Sequence, residues 1–264
     1  MRECSKSIVR RLSDPNFINK YFVGHGLDIG GKPDPLSMYQ GLFSRCLSVR
    51  TWDLEDGDGQ FLQGVPNESF DFIHSSHCLE HLVDPVEGLK NWLRVIRQGG
   101  YLIITVPDED LYEQGVFPSN LNGDHKWTFT IYKPTSWSSR SLNLIDVVRE
   151  LGLTAEVLRI EQLNSTYRFD FPRLDQTLTP IGECGIELII RKRNESELND
   201  KGRWRRSDET LTSDKKIHFN RYKDDNNMIR LGRFMPKPLL WLMRNLVDKL
   251  ESLSQRIHRA KMKY

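Results

Sequence analysis

The residues best suited to acid–base chemistry follow a short apolar segment, Phe70–Ser75. His74 lies within this segment, and His77, Glu80 and His81 come directly after it. We expect the segment to be a buried strand, and in an open α/β sheet ligands bind at the carboxyl ends of the strands. A cluster of titratable side chains at such a position is a candidate active site.

A further histidine, His125, lies in a long stretch that reads as a loop, residues 108–136. Imidazole titrates near neutral pH and can take a proton from a hydroxyl group. We therefore expect a histidine to act as the general base, with His125 as the first candidate and His81 and His77 behind it. For each of them, packing or the positioning of a ligand is an equal alternative.

The same side chains also resemble a set of metal ligands. The pair His77 and His81 with Glu80, and with Asp124 or Asp108, would offer nitrogen and oxygen donors. However, the H-E-x-x-H pattern of helical zinc sites is absent, because Glu80 directly precedes His81. We therefore expect no metal.

Glycines and acids stand where the first two predicted strands end. Gly30 and Gly31 follow the first strand, where bare backbone lets a ligand approach closely. Asp28, inside that strand, could hold an ammonium group or order the loop. Asp53 ends the second strand, and a carboxylate there can accept hydrogen bonds from both hydroxyls of a ribose. The alternative is that these residues only form tight turns.

Taken together, these stretches resemble the class I S-adenosylmethionine (SAM)-dependent methyltransferases of the small-molecule superfamily. The resemblance is carried by residues 26–31, 56–60, 70–81 and 89–107, and it extends over about residues 20–192. It implies a doubly wound, mostly parallel, Rossmann-like α/β sheet that binds SAM as cofactor. One departure is that Lys32-Pro33 follows Gly31 where the family's loop usually has a third glycine.

The resemblance also implies which residues bind the cofactor. Asp58 and Gln60 correspond to the segment that the family places against adenine, although Asp56-Gly-Asp-Gly also reads as a simple turn. The full set of expected cofactor-binding residues is Asp28, Gly30, Gly31, Asp53, Asp58, Gln60 and Ser75.

The acceptor is expected under a lid formed by residues 108–136. Trp127 and Tyr112 are candidates for an aromatic wall around a ring or sugar, and Arg168 is a candidate for binding a phosphate or carboxylate. Packing of the lid and a solvated surface are the respective alternatives.

Several element boundaries follow from local signals. Asp84 and Pro85 are typical of a helix start, and Gly99-Gly100 is predicted to end that helix. We expect a second helix over 141–151 and closing antiparallel strands over 155–162 and 186–191.

Charge divides the chain of 264 residues into two parts. The formal net charge is +2, but residues 193–264 carry 18 basic and 10 acidic residues, which leaves −6 on residues 1–192. We expect a methyltransferase domain over 1–192, a charged linker over 193–235 and an amphipathic basic helix over 236–264. That helix could associate with a second copy, pack on its own domain or lie on an anionic membrane.

Four scattered cysteines and no long apolar run indicate a cytoplasmic protein. We expect it to move a methyl group from SAM to an oxygen or nitrogen of a small acceptor. The resemblance favours a sugar, a nucleotide-linked precursor or a phosphoryl group in bacterial surface-polysaccharide synthesis. The alternatives are a SAM-binding regulator without catalysis, and an RNA or protein methyltransferase that docks through the basic tail. The N-P-P-Y signature of base methylation is absent, so nucleic acid is not expected as a partner.

Overall fold

The computed structural model describes residues 2–199, which form an α/β domain. Its strands in chain order, β1 to β8, are Gly24–Ile29, Cys46–Trp52, Phe70–Ser76, Ile96–Pro107, Thr128–Thr130, Ser141–Asn143, Ala155–Leu163 and Gly185–Lys192. Its α-helices, α1 to α4, are Cys4–Ser13, Pro85–Val95, Leu144–Glu150 and Glu195–Asn199.

Six strands form the central sheet in the order β2-β1-β3-β4-β8-β7. The pairs among β2, β1, β3 and β4 are parallel, whereas β8 runs antiparallel to both β4 and β7. Strand order reverses direction between β1 and β3, which is the point where doubly wound sheets bind their ligands. The predicted fold, mostly parallel with an antiparallel edge, is confirmed.

Apolar layers cover both faces of this sheet. On one face, Leu89 and Trp92 of α2 belong to a buried cluster with Ile73 and Leu102. On the other face, Ile8 of α1 belongs to a second cluster with Phe72 and Ile103. Because successive strand residues point to opposite faces, this double cover explains why residues 101–106 of β4 are apolar except for Thr105.

Helix α2 starts where the sequence predicts, but it does not end where the sequence predicts. The Asp84 carboxylate accepts a hydrogen bond from the Glu87 N–H at 3.0 Å, and Pro85 is the first helical residue. The prediction that Gly99-Gly100 ends the helix is wrong, because α2 stops at Val95 and both glycines belong to β4. A Cβ on Gly100 would lie 2.4 Å from the Asp71 carbonyl oxygen, so this glycine allows a close approach of two strands.

The segment 108–136 is more regular than a lid loop. It contains a helical turn over Glu109–Glu113 and the strand β5, which pairs with β6 in a separate two-stranded sheet. The buried Glu109 accepts hydrogen bonds from Thr128, Lys133, Ser136 and Ser141. One carboxylate therefore ties the segment together. The predicted helix over 141–151 is shorter than expected, since its first three residues form β6.

The domain also continues past its predicted boundary at residue 192. The Glu197 carboxylate binds Arg191 at 2.7 Å, and the Arg193 N–H donates to the Thr154 carbonyl at 2.8 Å. The remainder of the predicted linker and the predicted helix over 236–264 lie outside the described residues. Within residues 2–199, no helix combines the length and apolarity needed to cross a bilayer.

A truncation after Asn199 should leave the thermal unfolding midpoint of the domain unchanged. A truncation after Lys192 should lower the midpoint by several degrees, because the shortened chain loses the contacts of Arg193 and Glu197 with the domain. Each hydrogen bond contributes about 0.5–1.5 kcal/mol to stability. A shift of 1 kcal/mol moves the midpoint of a domain of this size by about 2–4 °C. Thermal unfolding followed by circular dichroism measures the midpoints of both truncated proteins. Equal midpoints for the two truncated proteins would place the boundary back at residue 192.

Candidate active site

Two neighbouring pockets lie at the carboxyl ends of β1, β2 and β3. The outer pocket, of about 480 Å³, is bounded by Trp52, Asp53, Leu82 and residues 57–60. The inner pocket, of about 170 Å³, is bounded by Glu3, Asp28, His77, Glu80, Tyr112 and His125. Gly30 and His81 line both pockets. The two pockets therefore meet at these residues.

The outer pocket contains a carboxylate that the backbone holds in place. Asp53 follows β2 directly, and its Oδ2 and Oδ1 accept hydrogen bonds from the N–H groups of Lys32 at 3.0 Å and Leu54 at 2.9 Å. Both oxygens retain a further lone pair. Asp53 is thus a fixed acceptor at the edge of an open pocket.

The predicted adenine segment also lines the outer pocket. The Asp58 carboxylate accepts from the Gln60 N–H at 2.8 Å, and the Gln60 amide oxygen accepts from the Asp84 N–H at 2.9 Å. The Gln60 side chain is therefore anchored through its oxygen, while exposed Asp58 keeps its second oxygen for a ligand.

The glycine loop requires both of its glycines. Gly30 has φ +69°, and a Cβ there would lie 2.7 Å from the Cβ and Sγ of Cys78. A Cβ on Gly31 would lie 2.4 Å from the Oδ2 of Asp28. The Gly30 N–H donates to the Trp52 carbonyl at 2.9 Å, so it joins two strands and does not point to a ligand.

Asp28 orders this loop. Its Oδ2 accepts from the Leu36 N–H at 2.6 Å, and its Oδ1 lies 2.6 Å from His74 Nδ1. The His74 Nε2 lies 2.8 Å from a guanidinium nitrogen of the buried Arg11 in α1. Of the two expectations for Asp28, the structure therefore favours ordering of the loop over binding of an ammonium group. Ser75 donates to the Ile29 carbonyl at 3.0 Å and lines neither pocket.

Glu80 lines the inner pocket and is close to three histidines. Its side chain is wholly buried, and neither carboxylate oxygen has a hydrogen-bond partner among the described residues. Three imidazole nitrogens face its Oε1: His77 Nδ1 at 3.6 Å, His81 Nε2 at 3.9 Å and His125 Nε2 at 3.8 Å. Burial raises the pKa of the Glu80 carboxyl to about 7.

Two of these imidazoles are held by their other nitrogen. His125 Nδ1 lies 2.6 Å from the Glu113 carboxylate, and His81 Nδ1 donates to the Asp124 carbonyl at 3.1 Å. With a proton on each Nδ1, a neutral ring carries its lone pair on Nε2, toward Glu80. Burial lowers the pKa of His81, and it lowers that of His77 to about 3.

The three predicted acceptor residues fall in different places. Tyr112 lines the inner pocket, and its hydroxyl is buried without a partner among the described residues. Trp127 lines neither pocket, because its indole N–H donates to the Leu82 carbonyl at 3.0 Å and its ring packs on the core. Arg168 is exposed on a separate surface pocket and holds the Gln176 side chain through its backbone.

Sequence reasoning missed the contribution of the N-terminus. Glu3 and Cys4 line the inner pocket because α1 is anchored there: the Ser5 N–H donates to Asp34 at 2.8 Å, and Lys6 donates to the Thr177 carbonyl at 2.6 Å. No local sequence motif predicts these contacts, because their partners are separated by 29 and by 171 positions in the chain.

A family model described as a methyltransferase domain matches residues 11–168. A solved SAM-dependent methyltransferase from Thermotoga maritima is 17% identical over 70% of this chain and 89% of its own, with a TM-score of 0.41. One from Archaeoglobus fulgidus is 18% identical over 73% and 95%, with a TM-score of 0.40. No curated protein matches the sequence significantly.

Proposed function

Since the chain belongs to the methyltransferase-domain family and is a SAM-dependent methyltransferase, we propose that it methylates an oxygen or nitrogen of a small acceptor held in the inner pocket. The expectations of a methyltransferase and of SAM as cofactor are confirmed. The observation that carries the proposal is the pair of pockets that meet at Gly30 and His81.

The outer pocket fits SAM in size and chemistry. Its volume of about 480 Å³ is within the range of cofactor sites. In this proposal Asp53 accepts hydrogen bonds from the ribose hydroxyls and Asp58 meets the adenine, which is supported by their lining the outer pocket. The close approach of Gly30 to Cys78 leaves no room for a side chain where the two pockets meet.

SAM supplies a methyl group on a positively charged sulfonium, which is a good leaving group. The S–CH3 bond breaks as the bond from methyl to acceptor forms, and the acceptor loses a proton. The protein's main contribution is to hold the two reactants in line. Glu80, His81 and His125 lie at or beside the place where the pockets meet, so they are the groups that act on the acceptor.

A polar acceptor suits the inner pocket. The pocket is small and offers Glu3, Asp34, Asn122 and the buried hydroxyl of Tyr112 as hydrogen-bonding groups. These groups support a hydroxyl-rich acceptor such as a sugar or a nucleotide-linked sugar. The further assignment to surface-polysaccharide synthesis rests on the sequence resemblance. A cytoplasmic location remains an expectation, which the four free cysteines support.

Methyl-labelled SAM tests the acceptor class. The full chain is incubated with a panel of nucleotide-sugars and, in parallel, with RNA and with protein. We expect label in a nucleotide-sugar at a rate that changes little with salt. Transfer to RNA that falls steeply with added salt would favour docking through the basic tail. SAM binding without transfer in any arm would favour the regulator.

Substitution of the glycine loop tests the outer pocket. Gly30→Ala should weaken SAM binding at least about tenfold, because a residue with a Cβ is strained at φ +69° and would collide with Cys78. Gly41→Ala is the matched control, since a Cβ there meets nothing within 4 Å. Calorimetric titration gives both affinities, and equal values for the two variants would contradict the assignment of this loop.

A further inference from the structure

We propose that Glu80, His81 and His125 bind a divalent transition-metal ion where the two pockets meet. One oxygen of Glu80 and one nitrogen of each histidine lie within 4.8 Å of one another. Two imidazoles and one carboxylate are a donor set that suits Zn²⁺, Fe²⁺, Co²⁺ and Mn²⁺. The sequence predicts no metal, because the ligands come from two distant segments and form no local motif.

The distances within this cluster suit a central ion better than direct hydrogen bonds. The Nε2 atoms of His81 and His125 lie 3.9 and 3.8 Å from Glu80 Oε1, beyond the range of a hydrogen bond. A single ion between the three atoms would bond to all of them. It would also supply the partner that the Glu80 carboxylate lacks among the described residues. Burial of a carboxylate without a partner costs free energy of folding.

Both histidines are already oriented as ligands. The Asp124 carbonyl fixes Nδ1 of His81, and the Glu113 carboxylate fixes Nδ1 of His125. Metal-bound histidines in proteins almost always give their second nitrogen to a carbonyl or carboxylate in this way. Each ring therefore presents its Nε2 to the site.

Neighbouring ammonium groups do not take the place of the ion. Lys6 donates to Glu3 and to the Thr177 carbonyl, and Lys126 donates to the His81 carbonyl. Lys32 also lines the inner pocket, but its ammonium pairs with Glu55. Glu3, Asp28 and Asp34 line the pocket as well, so its acidic side chains outnumber this lysine.

An ion held by only three protein ligands would have further coordination positions for other groups. The acceptor's oxygen or nitrogen could occupy one of them beside the methyl donor, as substrates do in catalytic metal sites. This role in catalysis rests on the proposed function, whereas binding of the ion does not.

Titration with Co²⁺ tests the site directly. The full chain is freed of metal with a chelator and titrated while its visible absorption is recorded. We expect one equivalent to bind, with ligand-field bands typical of nitrogen and oxygen donors. A strong sulfur-to-metal charge-transfer band would instead place the ion on cysteines and overturn the proposal.

Variants assign the ligands. Glu80→Gln and His125→Ala should each weaken binding of Co²⁺ at least about a hundredfold. Glu113→Gln should weaken it about ten- to a hundredfold, since it removes only the group that orients His125. His25→Ala is the matched control, because this histidine is exposed and bonded to Ser48, away from both pockets; it should bind Co²⁺ as the parent does.

The titration of each variant is paired with calorimetric titration of SAM, which reports folding and the outer pocket. A parent chain that binds SAM but no Co²⁺ would overturn the metal site and leave the proposed function standing. Co²⁺ binding of parental affinity in Glu80→Gln, His125→Ala and Glu113→Gln would overturn it too. A folded parent chain that binds no SAM would instead count against the proposed function.

Discussion

Replacing His125 with alanine should lower the rate of methyl transfer by about two to four powers of ten, the usual cost of losing a group that handles the reacting proton. The side chain is buried in the inner pocket, and Glu113 holds its Nδ1 so that Nε2 faces the reaction site. This loss is expected whether Nε2 takes the proton itself or binds an ion that holds the acceptor. Labelled methyl transfer to the acceptor measures the rate.

SAM affinity in the His125→Ala protein should stay within a few-fold of the parent, because His125 lines only the inner pocket. His25→Ala serves as the control for loss of a histidine and should keep the parental rate. A His125→Ala protein that retains SAM affinity and near-parental turnover would mean that another group acts on the acceptor, or that the acceptor needs none.

Replacing Asp53 with alanine should cost most of the affinity for SAM. In the proposed complex the carboxylate accepts two hydrogen bonds from the ribose, and each bond to a charged acceptor contributes about 1.5–3 kcal/mol. Loss of one such bond should weaken SAM binding about tenfold or more, and loss of two should weaken it about a hundredfold or more. Calorimetric titration measures the change.

Asp53→Asn separates the ribose contacts from the order of the loop. Asparagine keeps one acceptor oxygen for the Lys32 or Leu54 N–H group but lacks the charge. The SAM affinity of Asp53→Asn should therefore lie between those of the parent and Asp53→Ala. Unchanged affinity in Asp53→Ala would remove this residue from the cofactor site.

The parts of the fold that could be predicted are those encoded locally. Asp84 and Pro85 mark a helix start because a capping carboxylate and a proline act within one turn. The largely apolar stretch over residues 101–106 is typical of a strand that is covered on both faces. By contrast, Gly99-Gly100 resembles a helix end, and only the approach of the Asp71 backbone shows why glycine is needed there.

In the site, too, the residues that could be predicted are those whose positions are encoded locally. Gly30 and Asp53 each follow a strand directly, so strand order alone brings them to one edge of the sheet. Two neighbours of Glu80, His77 and His81, are local in the sequence, but His125 is not. His125 and its partner Glu113 come from the segment that the buried Glu109 holds together. Arg168 and Trp127 have suitable chemistry, but their positions depend on packing that sequence spacing does not record.

A crystal structure of the full chain with S-adenosylhomocysteine tests the two-pocket account most directly. We predict the ribose hydroxyls on Asp53, the adenine against residues 57–60, and the sulfur where the pockets meet, between Gly30 and His81, with the inner pocket left free for the acceptor. An adenosine bound in the inner pocket, or a ribose away from Asp53, would contradict the account.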